Sequence, residues 1–265
     1  MTLNLHKITD FIIPHFDGAL GAIGLALPIL AVFMSMELIR PGKRLDLKST
    51  LFNIWYTPVF LTLSSILLAL LWAMVPANWT LGLLSMDHSD PIILSLSFAL
   101  YLLIFDFAYY WLHRAQHTVP WLWRYHATHH ADPNVSCLTT SRHHWLEEVF
   151  RFVPILLPLS IVFGSLSKLP IWALVLPGLF GIFIHWNTPW RMNLIAKWIV
   201  TPWFHRIHHS IQPEHHNKNY AVFFPIWDII FGSAYFAKAH EYPNTGIISR
   251  HSSNSLKRLL PIPHQ

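Results

Sequence analysis

A chain of 265 residues that is 53% hydrophobic and only 12% charged, with a mean hydropathy of +0.39, is too apolar for an ordinary soluble domain. Its net charge of +5 would suit nucleic acid, but the basic residues are scattered through lipid-compatible sequence, so no nucleic-acid partner is expected. The single cysteine, Cys137, excludes an internal disulfide and a cysteine-based metal site and reads best as a packed small hydrophobe.

In chain order, residues 1–18 look like a short amphipathic lead without the basic and apolar regions of a signal peptide, so the first span is expected to be retained. Crossing the hydrocarbon core takes about 20 apolar residues in a helix. Three runs satisfy this, at Ala19 to Ile39, Ile54 to Val75 and Pro91 to Leu112. Two shorter runs, Val149 to Gly164 and Leu169 to Trp186, are joined around Ser165 to Lys168 and suggest a helical hairpin. Arg40, Lys43, Arg44 and Lys48 follow the first span, whereas Ala77 to Asp90 holds no Lys or Arg, so the first loop is assigned to the cytoplasm. Threading the remaining spans puts residues 113–148 and everything after His185 on that same side. Trp55, Trp72, Trp79, Trp111 and Trp186 sit near span ends, as interfacial aromatics do.

Three histidine clusters fall on that face: His113 and His117; His126, His129 and His130; and His205, His208 and His209. Residues three and four apart share a helix face with Cβ atoms about 5–6 Å apart, so each cluster can offer imidazoles to one metal. Pro120, Pro133, Pro202, Pro213 and Pro225 divide these segments into short helices. The first cluster rides on the third span, where Asp106 lies seven residues before His113 on roughly the same face. It can accept the far ring N–H of a ligating histidine, or it can be satisfied by another helix.

A catalytic zinc takes about three protein ligands plus water, so eight clustered histidines exceed one metal and suit two. His185, ending the last span, and the pair His143 and His144 are further donors, with His215 and His216 next. Neighbours on a helix point about 100° apart, so one member of each adjacent pair faces a given metal, and His144 is preferred over His143. The absence of H-E-x-x-H, G-x-S-x-G and a glycine-rich phosphate loop leaves metallopeptidases, nucleophile-elbow hydrolases and nucleotide enzymes without support.

With these residues in place, the chain resembles the fatty acid hydroxylase and sterol desaturase superfamily. The resemblance rests on the order H-x-x-x-H, H-x-x-H-H, lone His, H-x-x-H-H. It rests also on the flanks Asp106-Phe-Ala-Tyr-Tyr-Trp-Leu-His113, Arg142-His-His144-Trp-Leu-Glu147, Asn219-Tyr220 and Trp227-Asp228-Ile-Ile-Phe-Gly232, and it covers about residues 91–236. It implies a membrane di-iron oxygenase, with zinc as a replacement in purified protein, that uses dioxygen to hydroxylate or desaturate a lipid such as an acyl chain, sterol or alkylglycerol. The implied ligands are His113, His117, His126, His129, His130, His144, His185, His205, His208 and His209. Asp106, Glu147, Asn219 and Asp228 are the candidates to support them. His216 before Asn217 and Ala221 after Tyr220 depart from the family pattern, which leaves His216 as an added ligand or a simple replacement.

The expectation is therefore an all-α integral membrane protein of about four to five transmembrane helices with a cytoplasmic histidine-rich helical cap. Residues 1–90 would be N-terminal membrane helices and loops, 91–236 the catalytic domain and 237–265 a tail. The membrane would be a bacterial inner membrane or the endoplasmic reticulum. Electrons would come from an external ferredoxin- or cytochrome b5-like donor, which Arg114, Arg124, Arg142 and Arg206 could dock unless they bind lipid phosphates or pair with Asp106, Glu147 or Asp228. The alternative is a membrane metal transporter or metal-handling protein with a cytoplasmic histidine relay, although such sites usually lie near the bilayer midplane.

Overall fold

The computed structural model describes residue 21 and residues 24–76, 79, 82–84, 90–164 and 171–247. The expected lead, the Ser165 to Lys168 junction, the isolated His6, His15, His88, His251 and His264 and the end of the tail lie outside these residues. Among the described residues the fold is helical, with one isolated bridge between Ser210 and Thr245. The helices are α1 (Gly24–Ile39), α2 (Leu47–Ala73), α3 (Pro91–Thr118), α4 (Pro120–His130), α5 (Glu147–Arg151), α6 (Leu157–Phe163), α7 (Ile171–Ile184), α8 (Pro202–His208) and α9 (Ile226–Ile230).

Local chemistry sets the ends of the long helices. The Asp46 carboxylate accepts from the Ser49 N–H to start α2, and Asp90 accepts from Ile92 N–H ahead of Pro91 to start α3. Pro120 forces Val119 into an extended conformation (φ −99°, ψ 113°), which ends α3, and the same proline opens α4. A π turn at Phe152–Leu156 joins α5 to α6 and absorbs Pro154, which has no N–H to give. Gly164, at φ +91°, stops α6.

Two described helices, α2 and α3, are long and apolar enough to cross a membrane. Only 17% of the most apolar stretch of each is buried, where a core helix of a water-soluble protein would be mostly buried. Leu51, Ile66 and Leu70 of α2 and Ile92, Leu96 and Leu103 of α3 face outward instead. α1 and α7 are apolar but shorter.

Five helical segments meet at one end of the molecule with alternating polarity. Glu37, near the end of α1, accepts from the backbone N–H groups of Cys137 and Asn187. Ser49 and Asn53, near the start of α2, donate to Asp132, and Tyr56 donates to the His143 carbonyl. The end of α3, the start of α5 and the end of α7 carry His113 and His117, Glu147, and His185 to the same place. At the opposite end, the N–H groups of Gly82 and Leu84 donate to the Ile161 and Val162 carbonyls of α6. Between the ends, Tyr101, Phe105 and Tyr110 of α3 pack with Ile155, Leu159 and Phe163, and with Phe204, Tyr220 and Phe223.

Candidate metal centre

The two H-x-x-H-H segments form α4 and the end of α8, and they lie across from each other so that their histidines divide between two groups. His113, His117, His126, His130 and His208 can bring their donor atoms within 4.8 Å of one another, and so can His129, His185, His205 and His209. α4 gives its i,i+4 pair, His126 and His130, to the first group and His129 to the second. α8 does the reverse, giving His205 and His209 to the second and His208 to the first. Each helix thus keeps its i,i+4 pair on one side and turns the third imidazole across.

Nine of the ten expected ligands lie in these groups. The tenth, His144, does not: its Nδ1 accepts from the Leu146 N–H and its ring packs edge-on to Tyr125 at 5.0 Å. His143 instead faces the centre, stacked on His129 at 4.0 Å with the rings 8° from parallel. The tight turn before α5 rotates the pair by one residue relative to the preference for His144.

Hydrogen bonds fix the protonation of several rings. A neutral imidazole carries one N–H. The Nδ1 of His113 donates to the Tyr220 carbonyl at 2.7 Å, that of His208 to Lys218 at 2.9 Å, that of His185 to Gly181 at 2.7 Å, and that of His126 to the Glu147 carboxylate at 3.1 Å. Each Nε2 is then a lone pair. Yet the Nε2 atoms of His113 and His126 face each other at 3.0 Å. His185 Nε2 also stands 3.2 Å from His129 Nε2 and 3.0 Å from His205 Nε2, two rings whose own Nδ1 atoms have no partner to fix the tautomer.

Facing lone pairs repel unless a cation lies between them. Nitrogens bound at about 2.1 Å, the usual imidazole distance on a first-row metal, stand about 3.0 Å apart when their bonds are at right angles. The buried Nε2 atoms of His117, His130 and His208 in the first group also have no hydrogen-bond partner, while in the second the Nε2 atoms of His129, His185, His205 and His209 converge on one another. Such orphaned donors are costly in a dry interior unless they bind a metal. Both groups therefore fit one metal ion each.

Burial is the main force on these rings. It holds His129, His130, His205 and His209 well below the usual 6.5, and takes His185 and His208 down to about 3. These six imidazoles are thus neutral at physiological pH, the form that ligates. Burial alone would raise the Glu147 carboxyl, but His143 and His126 outweigh it and keep the group well below its usual value of 4.5. This carboxylate accepts from Gln116 Nε2 at 2.8 Å and from the His144 N–H at 3.2 Å, and lies 3.4 Å from His143 Nδ1.

The other supporting residues act at one remove. Asp106 touches no described histidine side chain by hydrogen bond: its carboxylate accepts from the N–H groups of Val222, Phe223 and Phe224 at 2.8–2.9 Å. Asp228 accepts from the preceding two, Tyr220 and Ala221, and from Ser233 Oγ. Five consecutive N–H groups are therefore held by two buried carboxylates, and this clamped segment presents the Tyr220 carbonyl to His113. Asn219, at φ +60°, clasps Phe204 and Tyr235 rather than a ligand. The partner of Asp106 is a loop more than a hundred residues away, which no helix-face count could find.

His215 bonds Ser210 Oγ and Glu241, and the exposed His216 lines a pocket without joining either group. Of the four arginines expected to dock a donor, Arg142 and Arg206 are buried in internal hydrogen bonds and Arg114 is half-buried against Tyr110. Arg124 is the exposed one.

The sequence model of the fatty acid hydroxylase family matches residues 98–233, just over half of the chain and every histidine of both groups. The chain belongs to the fatty acid hydroxylase family. Among curated relatives of this family member, an ornithine lipid hydroxylase, OlsE, of Rhizobium tropici is 28% identical over 158 residues, which cover 60% of this chain and 47% of the relative. Alkylglycerol monooxygenase of Homo sapiens is 30% identical over 138 residues, 48% of this chain and 28% of the relative. Very-long-chain aldehyde decarbonylase GL1-6 of Oryza sativa subsp. japonica is 30% identical over 142 residues, 48% of this chain and 21% of the relative. The chain thus spans less than half the length of each. No solved structure matches.

Proposed function

We propose that this fatty acid hydroxylase family member is a membrane-bound, iron-dependent oxygenase that inserts oxygen at an unactivated C–H bond of a lipid. The observation that carries the reading is the pair of buried imidazole groups whose ring nitrogens converge at 3.0–3.2 Å. His113, His117, His126, His130 and His208 would hold one iron, and His129, His185, His205 and His209 the other, with His143 the nearest further donor. Iron with open positions in an imidazole-rich site supplies dioxygen activation when bound.

The residues do the rest by position. Glu147 and the carbonyls of Gly181, Lys218 and Tyr220 fix the orientation of His126, His185, His208 and His113 and keep the inward nitrogens of these four rings unprotonated. The buried surroundings exclude bulk water from the second group. The five converging segments support five membrane crossings with the site at one end, and the basic loop packs there too, since Asn134 donates to the Arg44 carbonyl and Lys43 N–H to Asn187. By the positive-inside rule that end is cytoplasmic. Electrons would come from an external one-electron carrier protein at the exposed cytoplasmic face. A transporter would place ligands along the spans, but Asp106 is saturated by three N–H donors and the histidines sit at helix ends.

The test is lipid profiling of cells expressing the chain or its His126→Ala variant, alongside metal analysis of both purified proteins. Iron in the wild type and an oxygenated lipid that vanishes with His126→Ala support the reading. The same lipid profile with wild type and variant would sink it.

A further inference from the structure

We propose that the centre takes the polar end of an amphipathic lipid and oxidises a carbon close to its headgroup, rather than one deep in an acyl chain. This rests on the oxygenase reading above and adds the position of attack. Two independent observations carry it: the depth of the first histidine group and the make-up of the pocket that reaches it.

Depth follows from α3. Its 28 residues span about 42 Å at 1.5 Å per residue, while the hydrocarbon core is about 30 Å thick. With the charged Asp90 cap at the far surface, the core ends about 20 residues on, near the exposed Trp111. His113 then lies about 3 Å, and His117 about 9 Å, beyond the hydrocarbon boundary. The start of α2 agrees, because its buried Ser49 and Asn53 spend their polar groups on Asp132 there. The centre is at headgroup level, where the first few carbons of a lipid lie. A mid-chain carbon would have to be drawn out of the bilayer.

The pocket is of the same character. A cavity of about 680 Å³ opens onto His117, His130 and His208, all of the first group. Its walls mix apolar Trp123 and Ile211 with polar Ser210, His216 and Asn217, which suits a headgroup and the carbons next to it better than a long alkyl chain. Thr118 and Pro120 line it where α3 leaves the bilayer, and the outward Leu100, Leu103, Phe107 and Trp111 form a stripe along α3 toward that corner. A lipid lying on this stripe brings its headgroup to the mouth.

The step balances as follows. A C–H bond near the headgroup breaks and a C–OH forms with one atom of dioxygen. The other atom leaves as water, using two electrons from a reduced one-electron carrier protein and two protons from solvent.

Two measurements test it with the full chain. First, fragmentation mass spectrometry of the oxygenated lipid should place the new oxygen on the headgroup or the first few carbons. Oxygen beyond the middle of the chain overturns this inference and leaves the oxygenase reading standing. No oxygenated lipid at all overturns both. Second, and independent of turnover, phosphatidylcholine vesicles containing the protein are doped with a lysophospholipid bearing a photoreactive diazirine either beside the headgroup or at the chain end. The headgroup probe should label Thr118, Trp123, His216 or Asn217, and the chain-end probe the α3 stripe. Pocket labelling by the chain-end probe alone would contradict the proposal.

Discussion

Replacing Glu147 by Gln tests how far the ligands depend on a buried charge. The carboxylate accepts from His126 Nδ1 at 3.1 Å and Gln116 Nε2 at 2.8 Å through one oxygen, and from the His144 N–H at 3.2 Å through the other. Gln keeps the shape but has one acceptor oxygen and points an NH2 group at one set of donors. The lost hydrogen bonds to a charged group are worth about 1.5–3 kcal/mol each. Removing the partner of a ligating histidine typically costs about 10–100-fold in metal affinity, or roughly 1.4–2.7 kcal/mol. His126 serves the first group, so we expect its metal to be lost about 10–100-fold more readily to a chelator while the second is retained longer. The assay is chelator competition followed by residual metal content, with circular dichroism to verify folding. Gln116→Leu, which removes one neutral donor to the same carboxylate, should have a smaller effect. A Glu147→Gln protein that folds and holds both metals with wild-type affinity would refute the reasoning.

Further expectations follow from other contacts. Asp228→Asn weakens the grip on the Tyr220 and Ala221 N–H groups and should cost about 1–3 kcal/mol of stability by thermal melting. It should also release the first metal ahead of the second, because His113 leans on the Tyr220 carbonyl; simultaneous release would count against that route. A Cβ at Gly181 would run into Thr140 Oγ1, so Gly181→Ala should displace His185 and lower the second metal's occupancy, and adding Thr140→Ala should restore it, as metal analysis of the three proteins would show. His143→Ala should reduce metal content more than His144→Ala, whose loss should fall mainly on stability; the reverse order would return the ligand role to His144.

The sequence already carried the two long apolar helices and the histidine clusters, because hydrophobic run length and i,i+4 spacing are local. α3 begins at the expected Pro91 and simply continues past Leu112 through the first histidine pair. The division of the imidazoles was not legible. Which of His126, His129 and His130 turns to which group depends on how α4 and α8 face each other, a tertiary fact. Asp106 shows the same limit, since its spacing from His113 suggested a direct contact while its true partners are the N–H groups of residues 222–224. His143 could have been favoured from sequence by its i,i+4 relation to Glu147, a signal that the neighbouring His144 obscured. Arg142 and Arg206, which the sequence leaves between donor docking, lipid phosphates and pairing with buried carboxylates, are inside because carbonyls and aromatic faces receive them.

The most direct test of the two-group account is the metal content of the purified full chain beside His130→Ala and His205→Ala. Two irons per wild-type chain, falling to about one in each variant with different residual spectra, is the expected result. One metal in the wild type, or two retained in both folded variants, would contradict it.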